Sequence, residues 1–142
     1  MNAETFSIKA VFVGWLVDML GTFIVAGVIG VIAGLMLGAS GTTPQQIESE
    51  LAGATGLQIL SLFVGLFFTG LGGYIAARVG NTSEMMHAFA TGILALLTGI
   101  LLTAAMPEST SQLPRWYQAA SWILTLPSAL MGGYVRSRQV AL

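Results

Sequence analysis

"VFVGWLVDMLGTFIVAGVIGVIAGLML", residues 11 to 37, decides the class of this protein, because a run of this length carries a single ionisable side chain, Asp18. A helix needs ~20 predominantly apolar residues to cross the hydrocarbon core of a bilayer. Three more stretches meet that requirement, at residues 57–77, 86–106 and 116–135. The whole composition agrees: 55% of the 142 residues are hydrophobic and 8% charged, with a mean hydropathy of +0.83, far from soluble usage. The expected fold class is an all-α membrane protein, a bundle of four transmembrane helices in one domain over residues 1–142. The first stretch is too long, and too weakly basic at its start, for a secretory signal peptide.

Composition also removes function classes. A net charge of -1 leaves no basic excess to neutralise phosphates, so nucleic acid is not an expected partner. With no cysteine and one histidine, thiolate and zinc sites are not expected, and no metal or cofactor is. Ser61, Ser121 and Ser128 lack a nucleophile-elbow or S-x-x-K setting, and no H-E-x-x-H or carboxylate cluster accompanies His87. The chain does not read as an enzyme.

Lysine and arginine near helix ends are retained on the cytoplasmic side. Lys9, Arg78, Arg136 and Arg138 fall on one side of the four-span topology and Arg115 on the other. Both termini are therefore expected in the cytoplasm, with Arg78, Arg136 and Arg138 as anchors. The first outer loop holds its own helix signal over residues 43–52: Thr43 suits the cap, Pro44 the first helical position, and Gln46 a capping box. Ile47 and Leu51 share a face, which predicts a short helix lying on the outer membrane surface.

Helices in lipid associate through small residues and interhelical hydrogen bonds, since lipid tails are as apolar as leucine. Every expected span carries a row of small and polar residues four apart. The first runs Gly14, Asp18, Thr22, Ala26, Gly30, Gly34, Gly38, and the second Ser61, Gly65, Thr69, Gly73, Ala77. The third runs His87, Thr91, Ala95, Gly99, Thr103, and the fourth Ser121, Thr125, Ala129, Gly133, Ser137. Gly30, Gly34, Gly65, Gly73, Gly99 and Gly133 are the expected packing positions, with Leu, Ile, Val and Phe turned to lipid. Asp18 and His87 lie on these rows, so they face protein and form an expected intramembrane polar pair, because a charge on the lipid face costs ~2.5–3.5 kcal/mol.

The second and fourth spans also align at an offset of 60, "LFFTGLGGYIAAR" (66–78) with "LPSALMGGYVRSR" (126–138). The first and third align at 69, which sets Asp18 opposite His87. Two parallel helical hairpins related by a pseudo-two-fold along the membrane normal are the expectation.

"LVDMLGT", "GGYIAARVG", "MMHAFATGIL" and the second GGY together resemble a group of small four-helix bacterial membrane proteins with VD-x-x-GT and GGY-x-A-A-R motifs. The residues that carry the likeness are Val17, Asp18, Gly21, Thr22, Gly72, Gly73, Tyr74 and Arg78. The resemblance implies a bacterial inner membrane and the four-helix topology, and brings no catalytic assignment. The expected function is a structural or accessory membrane subunit, self-associating as a homo-oligomer or joined to other membrane protein subunits in the lipid bilayer. The alternative is a proton- or ion-coupled transporter or channel using Asp18 and His87.

Overall fold

The computed structural model describes residues 6–81, 83–107 and 113–140. Its elements are α1 (Ile8–Ala39), α2 (Pro44–Gly53), α3 (Thr55–Gly80), α4 (Glu84–Ala105) and α5 (Arg115–Val140). No strand occurs among the described residues.

Local chemistry sets the boundaries. Ser7 caps α1, its hydroxyl accepting from the Ala10 amide at 3.2 Å, in the manner of N-cap serines. Gly41, at φ +88°, lets the chain leave the far end, and left-handed Asn81 and Ser83 turn it sharply between α3 and α4. Thr43 and Gln46 close the start of α2, with the Thr43 amide and hydroxyl donating to Gln46 Oε1 at 3.2 and 2.9 Å. Ile47 of α2 then lies against Gly34 and Gly38 of α1.

Three helices, α1, α3 and α4, are long and apolar enough to cross a membrane. The fourth expected span, α5, is 26 residues long, ~39 Å at the α-helical rise. Arg115, Gln118, Pro127, Arg136 and Arg138 dilute its apolar content, and composition does not place it with the other three.

The core is the inverse of a soluble one. Its buried apolar side chains are Ala10, Val11, Ala76, Ala77, Ala88, Ala95 and Ala129, joined by Asp18, Gln58, Thr69, His87 and Thr91. No Leu, Ile, Phe or Met is buried among the described residues. Small residues win these positions because they let backbones touch. A Cβ built at Gly72 would lie 2.6 Å from the Gly14 carbonyl oxygen, and one at Gly73 would lie 2.8 Å from the Ala129 carbonyl carbon. Gly132 and Gly133 are packed as tightly, against α3 and α4 respectively. α3 thus holds α1 on one side and α5 on the other.

This closeness is confined to the end of the bundle that carries the termini. Past Asp18, no residue of α1 is buried. Of the six expected packing glycines, Gly73 and Gly133 are tightly enclosed, while Gly65 and Gly34 make ordinary contact with Thr22 and Ile47. Gly30 and Gly99 have no neighbour within 4 Å among the described residues, so neither packs against another helix there. The reason is that the helices diverge toward the α2 end.

The pairing also revises the expected repeat register. α3 and α5 run parallel and meet at positions 56 to 62 apart, as in Gly70 with Gly132, Gly73 with Ala129 and Leu66 with Ser128, close to the offset of 60. The offset of 69 for α1 and α4 does not survive. Asp18 bonds Thr69 of α3, and the residue against Ala129, sixty positions beyond Thr69, is Gly92. On that register the α4 residue at the depth of Asp18 is Gly92, not His87.

Candidate functional site: a cavity ending on Asp18

Where α1, α3, α4 and α5 diverge they leave a cavity of about 190 Å³. Asp18 and Thr69 lie at its deep end. Ser61, in the second turn of α3, and Tyr117, in the first turn of α5, lie nearer the α2 end. At ~1.5 Å per residue Ser61 sits ~12 Å above Thr69 along α3. Met19, Leu62, Leu66 and Ala95 provide apolar walls, the usual character of a small-molecule site with a few placed polar groups.

Asp18 is 2% exposed. Its Oδ1 accepts from Thr69 Oγ1 at 3.0 Å and from Thr22 Oγ1 at 3.4 Å. The Thr69 hydroxyl also reaches the Gly65 carbonyl oxygen at 3.0 Å, and one proton serves two acceptors only by being shared. Neither bond goes to Oδ2, which is not among the sealed unpartnered atoms and so keeps surface open to the cavity. No cation pairs with this side chain among the described residues. Few donors, one bare oxygen and deep burial make an under-satisfied acid, the costly arrangement that proteins otherwise avoid.

The chain matches no known family, curated protein or solved structure.

His87 is elsewhere. Its Nε2 accepts from the Ser7 amide at 2.9 Å, and its Nδ1 contacts the Ser83 carbonyl oxygen at 3.2 Å. An amide can only donate and a carbonyl only accept, so the ring is neutral with its proton on Nδ1. Phe6 stacks on one face at 5.0 Å, and a Cβ on Gly80 would touch the ring at 2.7 Å. With both nitrogens engaged and no exposure, His87 is a clamp holding the start of α1 to α4. Ser7 is eleven residues before Asp18, ~16 Å along α1, so the expected Asp18–His87 pair is not formed. Both residues face protein, but at different depths.

Other polar groups tie helices rather than line the cavity. Trp15 Nε1 donates to Thr98 Oγ1 at 3.0 Å, joining α1 to α4. Ser128, next to Pro127, donates to the Leu66 carbonyl oxygen at 2.5 Å. Tyr74 donates to Gln139 at 2.8 Å. Arg78 and Arg138 are exposed at the termini end, where Arg138 Nε donates to the Tyr134 hydroxyl; Arg136 is half-buried there. Sequence reasoning placed Asp18, Thr22 and Thr69 on packing rows, yet nothing in the pattern pointed to Tyr117 as a cavity wall or to Ser7 as the partner of His87.

Proposed function

We propose that this protein is a multi-pass subunit of the bacterial inner membrane that self-associates through the outer half of α1. α5 crosses the bilayer as a fourth span, parallel to α3 and packed along it, so the chain forms two hairpins side by side. Both termini face the cytoplasm, because Lys9, Arg78, Arg136 and Arg138 collect at that end and Arg115 stands alone at the other. α2 then lies at the outer surface.

The observation that carries this reading is the empty face of α1. Its 32 residues extend ~48 Å, against a hydrocarbon core of ~30 Å. In its first half, small residues bring α3 into backbone contact. Ala26 and Gly30 continue the same row with nothing built against Gly30, and exposed Val28, Val31 and Ile32 stand nearby. Rows of this kind pair membrane helices at short distance, and a two-fold contact would bring the same row of a second copy against it.

The test is the mass of the purified protein in nanodiscs, with and without Gly30→Leu. A dimer that dissociates in the variant supports the reading. A wild-type protein that stays monomeric at all protein-to-lipid ratios removes self-association, and copurification of a stoichiometric foreign subunit would move the role to that of an accessory chain.

A further inference from the structure

The row of glycines on α1 says nothing about why a buried acid ends a cavity. That acid has no structural duty that requires a charge, since asparagine would accept the same two hydroxyl donations at Oδ1. The unused oxygen is the informative one. Oδ2 takes no hydrogen bond among the described residues, is not among the sealed unpartnered atoms, and belongs to a side chain 98% withdrawn from bulk solvent. The Thr22 hydroxyl donates to Oδ1, and the Thr69 proton is shared between Oδ1 and the Gly65 carbonyl oxygen, which leaves oxygen lone pairs beside the carboxylate. Further up, the hydroxyls of Ser61 and Tyr117 make no hydrogen bond among the described residues, so the approach to Asp18 is lined with free oxygen ligands.

We propose that this cavity is a binding site for a small monovalent cation, with Asp18 Oδ2 as the charged ligand and the Thr22 and Thr69 hydroxyl oxygens beside it. Asp18 is the only carboxylate among the lining residues, so one positive charge is balanced and two are not. The donors are all hard oxygens and no nitrogen or sulfur ligand lines the cavity apart from the Met19 thioether, which suits alkali-metal or ammonium-type ions over transition metals. A volume of about 190 Å³ exceeds a bare ion and admits several waters, each needing ~30 Å³ as liquid, so the coordination shell is completed by water. Ser61, Tyr117 and Ser121 lie on the side from which the ion enters. That this side faces away from the cytoplasm rests on the orientation proposed above; the existence of the site does not.

The experiment uses the full chain in nanodiscs and follows the thermal unfolding midpoint as sodium, potassium or methylammonium chloride replaces N-methyl-D-glucamine chloride at constant ionic strength. A ligand that binds only the folded state raises the midpoint in a saturable way. We expect at least one of the three to do so, and its identity separates an alkali-metal site from an ammonium site. Asp18→Asn should abolish the shift, and Thr22→Val, which keeps the shape, should weaken the apparent affinity about tenfold. Glu48→Gln, a carboxylate lost from outside the cavity, should leave the shift intact. No saturable shift with any of the three, or a shift that persists in a folded Asp18→Asn protein, overturns the proposal. Should Asp18→Asn fail to fold, Thr22→Val and Ser61→Leu decide, because neither is buried and unchanged binding in both would overturn the site. Self-association is read separately by mass, so failure here leaves that reading untouched.

Discussion

Replacing Gly73 by alanine isolates the packing on which the bundle rests. A Cβ there would lie 2.8 Å from the carbonyl carbon and 2.9 Å from the Cα of Ala129. Carbon atoms rest at ~3.5–4.0 Å, so α3 and α5 must separate by nearly 1 Å, and the obstacle is backbone that no rotamer change relieves. Overpacking of this kind costs about 1–3 kcal/mol. The separation would also strain the bond from Ser128 to the Leu66 carbonyl oxygen. Gly30→Ala is the matched control: it adds the same methyl group to a helix where nothing stands within 4 Å, and alanine favours helix over glycine by ~1 kcal/mol. Reversible unfolding in mixed micelles, with dodecyl sulfate as the denaturing component, measures both. Gly73→Ala should destabilise while Gly30→Ala should be neutral or stabilising to monomer unfolding. Equal effects, or a larger loss at Gly30, would refute the claim that packing is concentrated at the termini end.

Further outcomes follow from the hydrogen bonds. Thr69→Val removes a donor from a buried acid, which ordinarily costs about 1.5–3 kcal/mol, whereas Ser128→Ala removes a bond to a neutral carbonyl, worth ~0.6 kcal/mol in membrane bundles; the same unfolding assay should rank Thr69 as the costlier, and the reverse order would discredit the account of Asp18. His87→Leu should speed hydrogen exchange of the first-turn amides of α1, from Ser7 onward, without disturbing exchange around Thr69; unchanged protection at the α1 start would mean the ring is no clamp. A thiol introduced at Asn81 should react with a membrane-impermeant reagent only in inverted vesicles, and one at Ser49 only from outside intact cells; the opposite pattern would invert the topology.

How much of this was legible in the sequence depends on which force fixed each feature. The spans and the small-residue rows are local patterns, so α1, α3 and α4 and the tight places at Gly73 and Gly133 stand where periodicity puts them. The helix α2 follows from capping chemistry confined to Thr43, Pro44 and Gln46. The rows did not reveal where helices part, because divergence depends on crossing geometry over the whole bundle; Gly30 and Gly99 continue their rows into space that no described residue fills. The pairing of Asp18 with His87 failed for a related reason. Matching the two rows residue by residue fixed sequence register, whereas contact with α3 and α5 set depth, and His87 fell beside Ser7, which is ~16 Å from Asp18 along α1. The cavity was illegible, since it exists only where four helices from distant parts of the chain fail to meet.

α1 is packed against protein up to Asp18 and borders a cavity just beyond it. The native chain has no cysteine, so single cysteines at Ala10, Met19, Leu20 and Thr22 can be tested with a small hydrophilic thiol reagent in folded protein. Met19 and Thr22, which line the cavity, should react, while fully buried Ala10 and the outward-facing Leu20 should not. Reaction at Leu20 with silence at Met19 and Thr22 would contradict the account.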